Sequence, residues 1–131
     1  MAEYLDDAKA LYAHALRELT DWRHTQDEVV LRDAAEKTWG AVTQATNELL
    51  QAYDRPVPSG TGARRSGLNA IERQNRRIRR LRMLDRFTTV EGVLHKDCFY
   101  DGYCPLPLIT DVIDDAQEYL DDVEALSNGH R

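Results

Sequence analysis

Residues suited to metal binding or redox chemistry are concentrated in one short stretch, LHKDCFYDGYCPLP, at residues 94–107. It contains His95, Cys98 and Cys104. Imidazole nitrogen and thiolate sulfur are preferred zinc ligands, but a structural zinc site uses about four of them, and this stretch supplies three. The other histidines are distant in sequence and no second cysteine pair is present. We therefore predict that the stretch holds no metal.

The same two cysteines could instead form a disulfide across a turn between two helices. Two cysteines are too few for a disulfide framework, and a reducing cytoplasm disfavours a permanent bond. We favour a structural interpretation, in which the stretch is an aromatic plug at a helix–helix corner and the cysteines are small buried fillers. The residues of this plug are Leu94, Phe99, Tyr100 and Tyr103.

The elements that position this stretch are helices. Apolar residues recur three or four positions apart over 3–24, 29–53, 68–87 and 109–126, with a shorter helix over 88–100. No segment shows the sustained alternation of a strand. The pattern predicts an all-α fold, a bundle of four to five helices, formed by the 131 residues as a single domain.

Two features of this pattern involve glycine. The segment 55–67, RPVPSGTGARRSG, contains two prolines and three glycines and is predicted to be a flexible loop between helices, inside the domain 1–131. Gly40 lies next to Trp39 in the second helix, where a glycine costs about 1 kcal/mol relative to alanine. Its presence there predicts close approach by another helix.

Charge is distributed unevenly along the chain. Residues 64–86 contain nine arginines and two acids, a net charge of +7, whereas residues 97–124 contain nine acids and no base. The whole chain has a net charge of −6. The third helix is expected to present an arginine stripe, with two loop arginines able to reach over it. The residues of this candidate contact surface are Arg64, Arg65, Arg73, Arg76, Arg77 and Arg80.

Two interpretations of the arginines remain open. We favour charge pairing with the acidic last helix, either within the chain or across a dimer. The alternative is binding of phosphate groups, because the guanidinium fork matches phosphate geometry. Aromatic residues for base stacking are lacking apart from Phe87, so RNA binding of this kind would be salt-sensitive and weakly sequence-specific.

Two segments also resemble a known family. They are similar to the HEPN superfamily, and more narrowly to its small PaREP-type branch. The segments are AAEKTWGAVTQATNELL at residues 34–50 and LHKDCFYDGYCPLPLITDVIDDAQEYLDDVEAL at residues 94–126. The positions that carry the resemblance are Trp39, Gly40, His95, Phe99 and Tyr100. The two cysteines are not part of the family pattern.

The resemblance implies a bundle of four to five helices that often dimerises. Some HEPN proteins are metal-independent ribonucleases that use an arginine and a histidine, four to six residues apart, near the start of the last long helix. Others are inactive partners of small nucleotidyltransferases. Here Arg86 and His95 are separated by eight residues, which is too many. Arg17 and His24 have the right spacing but belong to the first helix.

We therefore expect a non-catalytic, dimer-forming helical interaction or accessory module of HEPN type, without metal or cofactor. The alternatives are a HEPN-type ribonuclease or toxin–antitoxin component acting on RNA, and a nucleic-acid-binding module that uses the Arg-rich third helix. The expected partners are a second copy of the chain and, by resemblance, a nucleotidyltransferase-type protein or RNA. We expect a cytoplasmic location and no membrane insertion, because no apolar run approaches about 20 residues and the acidic N-terminus does not look like a secretory signal.

Overall fold

A computed structural model describes residues 3–130, in which every regular element is a helix and no strand is present. Its three long helices confirm the predicted all-α bundle. The elements are α1 (Glu3–Thr25), α2 (Glu28–Ala52), α3 (Thr61–Gln74), α4 (Arg76–Leu81), α5 (Met83–Val90), a π-helix (Glu91–Tyr100) and α6 (Leu108–His130).

Helix α2 is the central element of the bundle. Thirteen of its 25 residues are buried, because it packs against α1 on one side and against α6 and the π-helix on the others. The Asp27 side chain begins the helix by accepting a hydrogen bond from the Val29 backbone N–H at 3.0 Å. The apolar periodicity predicted α1, α2 and α6 to within a few residues.

Two tyrosine hydroxyls fix α6 against the first two helices. Tyr12 donates to the Ile113 carbonyl oxygen at 2.8 Å. Thr46 gives its single hydroxyl proton to Val42 O at 2.7 Å, so Tyr119 donates to Thr46 Oγ1 at 2.7 Å. Burial raises the pKa of Tyr12 to about 12 and also raises the pKa of Tyr119. Both hydroxyls are therefore protonated donors at neutral pH.

The prediction of one continuous third helix over 68–87 is wrong. Helix α3 already begins at Thr61, so the connection from α2 is shorter than the predicted loop 55–67. The helix then stops at Asn75, whose backbone is extended (φ −139°, ψ 110°) and whose side chain caps α4 by accepting from Ile78 N at 3.1 Å. A second break follows at Arg82, which has a left-handed backbone (φ 55°).

The breaks also change the predicted arginine stripe. Arg73 belongs to α3, whereas Arg76, Arg77 and Arg80 belong to α4, so the four residues do not share one continuous helix face. Within α4 the Ile78 side chain is fully buried. The arginines on either side of it are therefore directed outward.

Helices approach α2 at both Gly40 and Gly67, and the approach is tighter at Gly67. A methyl group added at Gly40 would lie 3.4 Å from Leu11 Cδ1 of α1, so another helix does lie over this glycine but leaves room for a small side chain. A methyl group at Gly67 would lie 2.9 Å from Leu50 Cδ2. The absence of a side chain at Gly67 is therefore what lets α3 pack on α2.

Candidate functional surfaces

The family-like residues of α2 and the π-helix form one cluster. The His95 ring stacks on Trp39 at 5.4 Å between centroids and meets the Tyr100 ring edge-on at 5.0 Å. The Phe99 ring is nearly parallel to the His95 ring, at 6.5 Å between centroids. His95 Nδ1 lies 2.7 Å from Glu36 Oε1. We call Glu36, Trp39, His95, Phe99 and Tyr100 the motif cluster.

The Glu36 carboxylate orients the His95 imidazole. A carboxylate accepts from Nδ1–H and leaves Nε2 as the free nitrogen. In other sites, a histidine held in this way serves as a general base. Within residues 3–130, however, no second histidine and no arginine side chain is bonded to His95. The pair can orient a hydrogen bond, but the cluster lacks the charged partner of a ribonuclease site.

Arg32 fixes the C-terminal end of the π-helix. Its Nε donates to the Phe99 carbonyl oxygen at 3.1 Å, and its Nη2 donates to Phe99 O and, at 3.4 Å, to Tyr100 O. A cation at this end also complements the partial negative charge of a helix C-terminus. The chain then turns at Gly102, where φ is +70°. Arg32 therefore holds the two aromatic residues in place through their backbone.

Sequence reasoning did not identify Arg32 or Glu36 as functional residues. The two are four positions apart in α2, and Glu36 precedes Trp39 by three. All three therefore lie along one face of the helix. The sequence signal that could have indicated the cluster is therefore a combination of two patterns. One is a basic, an acidic and an indole side chain spaced along one face of α2, and the other is the LH…FY segment of the π-helix.

The predicted aromatic plug is only partly correct. Leu94 is buried, but Tyr100 and Tyr103 are 68% and 64% exposed, so these two rings do not fill the space between helices. Val29, at the start of α2, is 62% exposed and shares a shallow pocket of ≈ 360 Å³ with Phe99 and Tyr100. We call Val29, Phe99, Tyr100 and Tyr103 the aromatic corner. Leu106 and Leu108, also exposed, follow it in sequence.

The two cysteines are bonded to each other. A Cys98–Cys104 disulfide spans the turn, with a Cα–Cα distance of 4.5 Å. The prediction of two unpaired filler thiols is therefore wrong, because the turn at Gly102 brings Cys104 back over the fully buried Cys98. Neither sulfur is free to be a thiolate ligand. Among residues 3–130 no group of three or more His, Cys, Asp or Glu side chains is arranged to hold a metal ion.

The two arginines predicted to reach over from a loop are bonded inside the fold. Arg64 Nε donates to Asn47 Oδ1 at 2.9 Å, and partial burial lowers its pKa. Arg65 pairs with Glu91 at 2.8 Å. Both belong to α3 and connect it to its neighbours, so they are structural rather than part of a free arginine surface.

Five other arginines of the Arg-rich segment, residues 64–86, are exposed and form no ion pair or side-chain hydrogen bond within residues 3–130. These are Arg73, Arg76, Arg77, Arg79 and Arg80. From the Arg-rich segment, only Arg86 pairs with α6, at 2.8 Å from Asp122. Of the two forms of the predicted charge pairing, the one within the chain is therefore not made by any of these five arginines among residues 3–130, and the one across a dimer stays a prediction.

A groove separates α4 and α5 from α6. Its volume is about 400 Å³. The apolar part of its lining is Leu81, Val90, Val112, Ala116 and the ring of Tyr119. Arg86 crosses it, with its guanidinium 5.3 Å from the Tyr119 ring centre and paired with Asp122. Arg80 and Arg82 line one side and Asp115 lines the other.

No helix among the described residues is long and apolar enough to cross a membrane. Comparisons with protein-family models, with curated proteins and with solved structures give no match to this chain.

Proposed function

We propose that this chain is a non-catalytic HEPN-type helical module that dimerises and binds a partner protein. The single observation that carries the binding role is the aromatic corner. Two tyrosine rings project into solvent from a turn whose backbone is held by Arg32 and closed by the Cys98–Cys104 disulfide, and the exposed Val29 lies beside them at the capped start of α2. Exposed aromatic rings on a fixed backbone lose little conformational entropy on binding, and such rings are typical anchors of protein interfaces.

The motif cluster supports the same role from inside the fold. Trp39 is buried and His95 is half-buried, so these side chains serve mainly to orient the corner. By resemblance to the HEPN superfamily, a small nucleotidyltransferase is the partner class that fits an inactive family member. Binding through the corner would require no group of this chain to react.

The test is co-purification from the native host of the tagged chain and of the variant Tyr100→Ser with Tyr103→Ser. We expect one stoichiometric protein to be retained by the parent chain and lost from the variant. Val57→Ser is the matched control, because Val57 is an exposed apolar residue outside the corner. Equal retention by all three proteins would contradict the role of the corner.

A ribonuclease is the second candidate function, favoured by the oriented Glu36–His95 pair together with five unpaired arginines. It is tested with labelled single-stranded RNA of mixed sequence in the presence of a chelator. We expect no cleavage by the parent chain. Cleavage that disappears in His95→Gln would show that the protein is an enzyme and overturn the non-catalytic proposal.

A further inference from the structure

The groove between α4–α5 and α6 is oppositely charged at its two ends. The Arg77 side chain of α4 reaches the C-terminal end of α6, since a methyl group at Gly129 would lie 3.7 Å from Arg77 Nη1. Farther along, Arg86 reaches Asp122, and Val90 shares the groove lining with Val112. The segment α4–α5 is therefore antiparallel to α6, so the arginines of α4 and the first turns of α6 lie at opposite ends.

Each end carries charges that the chain itself leaves unbalanced. The basic end consists of Arg76, Arg77 and Arg80 of α4. The acidic end consists of Asp115, which lines the groove, and of Asp111 and Glu118, which lie on the same face of α6 at four and three positions from it. All six side chains are exposed, and within residues 3–130 none of them forms an ion pair. The only ion pair that crosses the groove, Arg86–Asp122, lies between the two ends.

We propose that this groove is the interface with a second copy of the chain. An interface with two-fold symmetry must be complementary to itself. A two-fold axis through the middle of the groove would place the basic end of one copy on the acidic end of the other, and the reverse. Each end would thereby gain the neutralisation that the fold does not provide. The inference specifies the interface of the dimer in the proposed function and depends on that dimer existing.

A second copy fits this surface better than a nucleic acid does. A phosphate backbone lying along the groove would meet Asp115 and Glu118 as well as the arginines. The net charge of the whole chain, −6, also opposes a polyanion. Phe87, the aromatic residue nearest to the arginines in sequence, is fully buried and cannot stack on a base.

Charge reversal at one end, and then at both, tests the interface. One variant carries Arg76→Glu and Arg80→Glu, and the other carries Asp115→Lys and Glu118→Lys. In a homodimer of either variant, both contacts between a reversed end and its partner end would join groups of the same charge. We therefore expect the dissociation constant of the homodimer to rise at least about tenfold. An equimolar mixture should form a heterodimer, because one copy then has two acidic ends and the other two basic ends. The matched control is Arg17→Glu, an exposed and unpaired arginine of α1, which should leave the dimer intact.

Native mass spectrometry at low salt reads out these species, and circular dichroism checks that each variant is folded. If the parent chain and both reversed variants are dimers of equal affinity, the interface is elsewhere, although the proposed dimeric module stands. If the mixture does not form the heterodimer, the charge pairing is wrong. If the parent chain is monomeric, the interface and the dimer both fail. Binding of mixed-sequence RNA by that monomer, lost in Arg76→Glu with Arg80→Glu, would assign the arginines to phosphate instead.

Discussion

Reduction of the Cys98–Cys104 disulfide should destabilise the fold by an amount that follows from the size of the loop it closes. The cysteines are 6 positions apart, and the chain-entropy relation gives about 2 kcal/mol for so short a loop. Cys98 is fully buried and packs in the core, so the reduced thiol should stay in place and add no large polar cost. We therefore expect dithiothreitol to lower the free energy of unfolding by about 2 kcal/mol and the urea midpoint by roughly 1 M.

The assay is urea unfolding followed by circular dichroism, with and without reductant, supported by thiol titration of the native protein. Cys104→Ala is the control, because it removes the bond while deleting only a half-buried thiol, and reductant should then have no effect. Two titratable thiols in the protein as purified without reductant, or identical unfolding curves with and without it, would refute the disulfide and restore the interpretation of two filler cysteines.

Two further predictions concern the packing of α3 and the pH dependence of stability. Gly67→Ala should destabilise the fold by about 1–3 kcal/mol despite the better helix propensity of alanine, because its methyl group would meet Leu50 at 2.9 Å. The control is Gly62→Ala in the same helix, where no heavy atom lies closer than 3.9 Å to the added methyl group. It should be neutral or stabilising by up to about 1 kcal/mol. Equal effects in thermal unfolding would contradict the close approach. The raised pKa of Tyr12 means that the folded state holds this proton more tightly than the unfolded state does. Its contribution to stability should therefore be complete below its ordinary pKa of 10 and be lost as pH rises through about 12. Tyr12→Phe should lower stability by about 1 kcal/mol at neutral pH, by removing the bond to Ile113, and should flatten the alkaline decline measured by urea unfolding.

The sequence predicted the long helices because their burial is periodic. In α1, α2 and α6 most of the buried residues are apolar side chains at helical spacing, so periodicity alone indicates the element. The breaks around α4 were missed for a different reason. Asn75 occupies a position where the helical period over 68–87 expects an apolar residue, but asparagine is a strong N-cap and its side chain accepts from Ile78 N, three residues on. Arg82 has a left-handed backbone that nothing in an arginine-rich sequence indicates.

The candidate surfaces were predicted less completely, because they depend on contacts distant in sequence. Glu36 and His95 are 59 positions apart, and only the packing of α2 against the π-helix brings them together. The disulfide was considered but disfavoured on an assumption about the redox compartment, which is not a property of the residues. The concentration of arginines is evident in the sequence, yet the directions of their side chains depend on the breaks at Asn75 and Arg82 and cannot be read from the charge count.

The most direct test of the central claim is the molar mass of the parent chain, measured by sedimentation velocity over a wide range of concentrations at low and high salt. One chain has a mass of 15.0 kDa. The account predicts a species of about twice that mass, which dissociates on dilution and as salt screens the charges at the two ends of the groove. A single species of 15.0 kDa at every concentration, in low salt as well as high, would contradict it.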